Sequence, residues 1–243
     1  MRVIGPLVVG AFTLALGGVT LLGEANLHLP GNRKGYEPVQ PIAYSHRLHA
    51  GELKIECLYC HFGAQTSRHA GVPPAQVCMN CHTTVTASFD TLLAERQLAL
   101  QEKRDPRRIV SEKLRPLYAA MGLGDDGKPD AHDTPRGVQW VRVHNLPDFV
   151  FFDHSAHLAA NVGCASCHGR VDQMIRVRQV QPLSMGWCLE CHRDPAMHLR
   201  PAGTSITDMT WNAVEKGTPS TEKAIAANGR EVHPPTHCSG CHR

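Results

Sequence analysis

The stretch Cys57-Leu-Tyr-Cys60-His61 is the first of five segments in which two cysteines stand three positions apart and a histidine follows directly. Two thiols at this spacing can bond to the two vinyl groups of one haem, and the next residue then lies under the iron as its proximal imidazole. The pattern therefore predicts five covalent c-type haems. We number the sites 1 to 5 along the chain: Cys57, Cys60 and His61; Cys78, Cys81 and His82; Cys164, Cys167 and His168; Cys188, Cys191 and His192; Cys238, Cys241 and His242.

The histidine at the end of each segment separates this interpretation from the alternatives. Structural zinc sites and redox disulfides also use C-x-x-C pairs, but neither requires a following histidine. With His at 16 of 243 positions, five coincidental histidines have a probability of roughly 10⁻⁶. All 10 cysteines fall within the five segments.

The composition predicts that the haems form the core. Aromatic residues make up only 5% of the chain, and it contains 21 Gly and 17 Pro. We expect a mainly α and irregular fold that resembles class III multihaem cytochromes c, with short helices packed on five haems and little sheet. The polypeptide has a formal charge of +3, which five haems with their propionates would change to roughly −2. The basic balance is therefore no argument for nucleic-acid binding.

The N-terminal 25 residues predict a single transmembrane helix. Val3 to Gly23 contains no charged residue, and about 20 apolar residues span a bilayer core. Arg2 before it and Glu24 after it orient the chain with its haem region on the periplasmic face of the inner (cytoplasmic) membrane. A cleaved secretory signal is the alternative, because Gly23-Glu24-Ala25 resembles a cleavage site. The length of the apolar stretch favours a retained anchor.

Beyond the anchor, residues 26–40 read as a stalk and residues 41–243 as one pentahaem domain. Within it, two haem-pair units at 41–85 and 141–200 flank a helical insert at 86–140, and residues 201–243 carry the fifth haem alone. In the insert, the apolar spacing predicts a helix from Phe89 to Lys103 capped by Ser88. A second helical pattern runs through Ile109, Val110, Leu114 and Leu117, and Pro116 shortens or kinks it. A short helix is expected over 220–227.

Each haem-pair unit begins with a His-x-x-His segment about ten residues before its first cysteine. The four histidines are His46, His49, His154 and His157. Residues three apart lie on one side of a helical turn, so each imidazole of a pair can reach a different iron. We expect these four to be distal iron ligands. For the remaining iron, His144 is the next candidate, Met174 and Met185 compete with it, and His233 is a further possibility.

Several of these stretches resemble the membrane-anchored pentahaem cytochrome c subunit of bacterial alternative complex III, a quinol:electron acceptor oxidoreductase. The resemblance is carried by Tyr44-Ser45-His46-Arg47-Leu48-His49, Gly71-Val72-Pro73-Pro74, Phe152-Asp153-His154-Ser155-Ala156-His157 and Met185-Gly186-Trp187-Cys188. It implies an electron-carrying subunit rather than an enzyme in its own right. The implied partners are an integral membrane quinol-oxidising subunit, an iron–sulfur subunit, and a monohaem cytochrome c or another periplasmic acceptor. The similarity to class III cytochromes further implies that His46 serves site 1 and His154 serves site 3.

Two other functions compete with electron transfer within a larger complex. Multihaem nitrite or hydroxylamine enzymes keep one iron open, often with lysine in place of the proximal histidine, whereas all five segments here end in histidine. A stand-alone, membrane-anchored quinol dehydrogenase that feeds periplasmic reductases is the second alternative. The stalk between the anchor and His46 does not decide this question.

Overall fold

The computed structural model describes residues 33–132, 134–201, 203–211, 224–226 and 229–242. The predicted anchor at 1–25 and the first part of the predicted stalk, 26–32, lie outside these ranges. Within the part of the chain that is described, no helix is both long enough and apolar enough to cross a membrane.

Short helices joined by irregular segments make up the described chain. The α-helices are α1 Cys57–Cys60, α2 Ala75–His82, α3 Phe89–Glu102, α4 Arg115–Ala120, α5 His154–Ala159, α6 Cys164–His168, α7 Met185–Arg193 and α8 Cys238–Cys241. A π-helical turn covers Arg47–Glu52, and 3-10 turns cover Phe62–Gln65, Val171–Gln173 and Pro195–His198. Across the described ranges there are only isolated β-bridges and no strand. The expectation of a mainly helical and irregular fold with little sheet is confirmed.

All five sites lie on helical turns, for which their spacing is suited. Residues three apart in a helix project from the same face, so the two cysteines of each site can reach one ligand. The helices of sites 1 and 5 span only the four residues from the first cysteine to the second, while those of sites 2 and 4 extend by several residues beyond the cysteines. The sites are therefore held by short local structure and do not depend on a sheet.

The predicted helix in the insert is confirmed over Phe89–Glu102. The hydroxyl of Ser88 accepts a hydrogen bond from the Thr91 amide at 3.3 Å, as expected of an N-cap. The helix ends at Lys103, which adopts a left-handed conformation with φ 53°. Phe89 and Leu100 are 77% and 73% exposed. The apolar spacing thus located the helix correctly, although most of its apolar side chains are not buried.

Helix α4 begins later than the apolar pattern suggested, with Pro116 in its first turn. Proline is tolerated there because the first amides of a helix have no partner inside it. A small apolar cluster joins this helix to site 2; it consists of Ile42, Met79, Val110, Leu117 and Tyr118. The hydroxyl of Tyr118 also donates to the carbonyl oxygen of His82 at 2.6 Å. The insert therefore supports site 2 from behind.

The haem-pair units and the C-terminal segment contact one another through the backbone. A Cβ atom at Gly51 would overlap the carbonyl oxygen of Asp172, so a glycine is needed where the first unit meets the second. The amide of Phe151 donates to the carbonyl of Cys241 at 2.7 Å, which docks site 5 at the start of the second unit. Of the helix expected over 220–227, only 224–226 is described; there Ile225 forms an isolated bridge to Glu231.

Candidate haem sites

Each of the four His-x-x-His histidines lies opposite a different proximal histidine. The ring centres of His46 and His61 are 6.4 Å apart, and those of His154 and His168 are 6.5 Å apart. Each second histidine shows the same spacing: His49 lies 6.1 Å from His82, and His157 lies 6.1 Å from His192. At each of sites 1 to 4, a second imidazole thus lies near the proximal one.

The spacing of these pairs fits an iron with two axial imidazoles. A metal–imidazole bond is about 2 Å long, and the bonding nitrogen lies about 1.2 Å from the ring centre, so the two ring centres of such a pair are about 6.4 Å apart. None of the 10 cysteines is paired in a disulfide. Among the described residues, no group of three or more His, Cys, Asp or Glu side chains converges to hold a metal ion. The residues present therefore fit haem, with its own four equatorial nitrogens, better than they fit zinc.

Backbone carbonyls hold most of these imidazoles through Nδ1. Among the proximal histidines, the acceptors are Gly71 for His61 at 2.7 Å, Val85 for His82 at 2.8 Å and Pro235 for His192 at 2.7 Å. Among the distal candidates, they are Ser45 for His49 at 2.9 Å, Arg68 for His154 at 2.8 Å and Asp153 for His157 at 2.7 Å. An Nδ1 that bonds to a carbonyl carries the ring proton, which leaves the lone pair on Nε2 for a metal.

An aromatic residue two positions before each His-x-x-His pair packs against both of its imidazoles. Tyr44 meets His46 edge to face at 4.8 Å and stacks on His49 at 4.4 Å. Phe152 does the same in the second unit, with 4.8 Å to the first histidine and 4.5 Å to the second. Neither aromatic was predicted to lie at a haem site, although their shared position two residues before each pair was a visible signal.

Burial keeps the central imidazoles neutral. Desolvation, with a smaller contribution from His61, lowers the pKa of His46 to about 4. Desolvation also lowers the pKa of His168 to about 3, followed by the influence of His144. Burial likewise lowers the pKa of His157. Only a neutral imidazole offers a lone pair to a metal, so the electrostatics of the sites suit ligation.

The five sites are neighbours in an order that differs from their order in the chain. Burial raises the pKa of the Cys60 thiol, and the second cause is the nearby Cys78. Site 2 therefore lies beside site 1. Burial likewise raises the pKa of the Cys164 thiol, and the second cause is Cys57, which places site 1 beside site 3. The corresponding neighbours are Cys191 for Cys167, joining sites 3 and 4, and Cys241 for Cys188, joining sites 4 and 5. These electrostatic influences between thiols indicate that the sites adjoin in the order 2, 1, 3, 4, 5.

Of the candidates for the fifth distal ligand, His144 is placed at site 3. His144 lies against His168 of site 3, with ring centres 4.4 Å apart. The ring beside His242 is that of Phe149, at 5.6 Å. His233 is exposed, Met185 is 65% exposed at the start of α7, and the carbonyl of Met174 accepts a hydrogen bond from the Arg47 amide at 2.9 Å. The distal ligand of site 5 stays an open prediction.

Comparisons with known proteins agree with this chemistry. Residues 150–243, which include sites 3, 4 and 5, match the family model of cytochrome c7 and related cytochrome c. The chain is also 30% identical over 131 residues to the menaquinone reductase, multiheme cytochrome c subunit, of Nitratidesulfovibrio vulgaris (strain Hildenborough). That match covers 53% of this chain and 45% of the relative, so the chain matches less than half of the relative's length. By its motifs and by these similarities, the chain is similar to multihaem cytochromes c.

Proposed function

We propose that this chain holds five covalent haems and transfers electrons as a subunit of a membrane quinol-oxidising complex. One observation carries the proposal: at four cysteine sites the proximal histidine is paired with a second histidine, with ring centres 6.1 to 6.5 Å apart. Two axial imidazoles per iron are typical of haems that exchange electrons and leave no position open for a substrate.

In this proposal the side chains of each site have separate tasks. The two cysteines would attach the macrocycle through thioether bonds, and the two imidazoles would bind the iron. A bound haem supplies an iron that accepts and releases one electron. The carbonyls of Gly71, Arg68 and Pro235 keep the imidazoles oriented, so the ligand set stays the same in both oxidation states.

The neighbour relations of the sites support a function in transfer over distance. Sites 2 and 5 are the two ends of the series, and site 3 is its middle. We infer that one end faces the electron donor and the other faces the acceptor. Substrate chemistry on this chain is not part of the proposal, because sites 1 to 4 each have two imidazoles available.

The proposed setting is a quinone oxidoreductase of the alternative complex III type. The relative from Nitratidesulfovibrio vulgaris is a menaquinone reductase subunit, which supports a link to quinone chemistry. The proposed partners are an integral membrane quinol-oxidising subunit, an iron–sulfur subunit, and a monohaem cytochrome c or another periplasmic acceptor. The uncharged stretch from Val3 to Gly23 supports an anchor in the cytoplasmic membrane with the haem domain on its periplasmic side.

Two measurements test this function. The intact mass of the purified chain is expected to show five haem additions, and four or fewer would refute the complete set of sites. The isolated chain is then mixed with a reduced quinol analogue, with dithionite as the positive control for haem reduction. We expect dithionite to reduce the haems and the quinol analogue to leave them oxidised, because quinol oxidation is assigned to a partner subunit. Direct reduction by the analogue would identify a stand-alone quinol dehydrogenase instead.

A further inference from the structure

At site 3 the proximal histidine has a side chain, His144, beside its Nδ1 instead of a backbone carbonyl. Its Nε2 lies 3.3 Å from Nδ1 of His168, and the two rings meet edge to face at 80°. The proximal histidines of sites 1, 2 and 4 instead have carbonyl oxygens at the equivalent nitrogen. Of sites 1 to 4, site 3 is thus the one whose proximal imidazole bonds to a side chain.

We propose that His144 is a positioning residue for site 3, in which its Nε2 accepts a hydrogen bond from Nδ1–H of His168 and strengthens that imidazole as an iron ligand. The inference rests on the proposed function, because it requires His168 to bind iron through Nε2. An imidazole that coordinates through Nε2 keeps its proton on Nδ1. His168 is therefore the donor of this hydrogen bond, and His144 is the acceptor.

The geometry separates this task from that of a distal ligand. The ring centres of His144 and His168 are 4.4 Å apart, whereas the four pairs assigned to axial ligation are 6.1 to 6.5 Å apart. The Nε2 of His144, the nitrogen that the other histidines leave for an iron, faces His168 instead. In addition, the opposite partner of His168 is already His154, whose ring is inclined by only 6°.

The surroundings of His144 hold its ring in this position. The preceding Val143 is buried, with 9% of its surface exposed. The guanidinium Nε of Arg142 donates to the carbonyl oxygen of His144 at 3.1 Å. Because the backbone is fixed on both counts, the imidazole can act as a preorganised acceptor, which is the usual task of residues behind a metal-bound histidine.

The chemical effect is on the electron density of the proximal ligand. An imidazole nitrogen is a stronger base than a peptide carbonyl oxygen, so it draws the Nδ1 proton more and makes Nε2 of His168 a better donor. A better donor favours ferric over ferrous iron, and hydrogen bonding behind the axial ligand is one of the recognised controls of haem potential. Site 3 is the middle of the series, so its potential affects transfer in both directions.

The test compares His144→Ala and His144→Gln in the full haem-loaded protein, with His132→Gln as the control at an exposed position. Glutamine can place an amide oxygen where the imidazole nitrogen lies. Potentials are followed by optical redox titration and spin states by electron paramagnetic resonance. The component that belongs to site 3 is identified as the one that His154→Met shifts.

We expect His144→Ala to keep five haems, all in the spin states of the wild type, and to favour the ferrous form of the site 3 component about tenfold, which is 59 mV for a one-electron couple. His144→Gln is expected to recover part of this shift, and His132→Gln to cause none. An unchanged site 3 potential would overturn the inference. A new high-spin signal in His144→Ala would also overturn it, because His144 would then be an iron ligand. A wild type without five haems or without a low-spin site 3 would instead contradict the proposed function.

Discussion

The imidazole rings of His49 and His82 are inclined to each other by 64°, although their centres are 6.1 Å apart. At site 1 the planes of His46 and His61 are inclined by only 3°. Parallel axial imidazoles act on the same iron d orbital, while crossed ones act on different orbitals and leave them closer in energy. Two irons with the same pair of ligands can thus differ in the energies of their d orbitals.

We therefore predict that site 2 has the more anisotropic low-spin ferric signal and that sites 1 and 3 have rhombic ones. His49→Met is expected to remove the anisotropic component in electron paramagnetic resonance, and His46→Met, as the matched variant, to leave it in place. Loss of the same component in both variants would contradict the assignment of these two histidines to different irons.

Replacing a distal histidine by a weaker donor tests the ligand pairs directly. His154→Met is expected to leave all five haems attached, because Cys164 and Cys167 are unchanged. It is expected to raise the potential of one haem, since a thioether is a weaker donor to ferric iron than imidazole. Redox titration with low-spin signals as the second readout checks this. If every potential and signal stayed the same, His154 would not be a ligand.

The contact between the two haem-pair units can be tested at Gly51. A methyl group there would overlap the carbonyl oxygen of Asp172, and a forced backbone shift of this kind costs about 1–3 kcal/mol. We expect Gly51→Ala to lower the thermal midpoint and the denaturant midpoint of the haem-loaded chain. Gly186→Ala is the control, because a Cβ at Gly186 meets nothing within 4 Å. Equal midpoints for the two variants would show that the units can separate without loss.

A buried hydrogen-bond network beside site 3 predicts a large loss of stability on truncation. Arg200 is 5% exposed, and its Nη2 donates to Oδ1 of Asn161 at 2.6 Å. The amide of the same asparagine side chain donates back to the Arg200 carbonyl at 2.5 Å. Asn161→Ala leaves a buried guanidinium short of an acceptor, which we expect to cost about 3 kcal/mol.

The exposed Asn80 provides the comparison for that variant. Its side chain donates to the Tyr59 hydroxyl at 2.9 Å on the surface, so Asn80→Ala is expected to change stability by less than about 0.5 kcal/mol. Chemical denaturation followed by far-ultraviolet circular dichroism measures both. A loss for Asn161→Ala as small as that for Asn80→Ala would mean that water replaces the missing acceptor.

The stability that Glu95 of helix α3 contributes to the fold is expected to depend on pH. Hydrogen bonds from the Arg104 side chain and then from the Arg107 amide lower the pKa of Glu95 from 4.5 to about 2. A carboxylate with a depressed pKa stabilises the fold fully above its unfolded pKa and loses this contribution as the pH falls toward its folded pKa. We expect the stability difference between wild type and Glu95→Gln to be present at pH 6 and to shrink between about pH 4.5 and 2. A difference that does not depend on pH would contradict this charge assignment.

Local patterns in the sequence predicted the parts of the molecule that local chemistry determines. Ser88 marked the start of α3, and the repeated cysteine spacing marked the site helices, because caps and i to i+3 geometry involve neighbours in the chain. The same logic placed His46 and His154 in repeated positions. Their actual neighbours, however, follow from tertiary folding.

Contacts made by backbone atoms could not be predicted from the sequence. The carbonyl of Arg68 holds His154 from 86 positions away, and any residue type can supply a carbonyl. For the same reason nothing in the local pattern revealed that His144 lies behind His168 instead of at site 5. The side chain was recognised as a metal-type residue, but its partner depends on how the segment before α5 folds back.

The order in which the sites adjoin determines how the two haem-pair units are arranged relative to each other. Sites 1 and 3 are the first sites of their respective units, and they are the ones that meet between the units through Cys57 and Cys164. Within the two units, sites 2 and 4 lie beyond this contact, so the two halves are arranged head to head. Identical two-haem proteins that associate through the same patch adopt this arrangement, because a two-fold axis brings equal surfaces together. The two haem-pair units of this chain thus share the order that two copies have in such a homodimer, with the helical insert between them in the sequence and site 5 at the end.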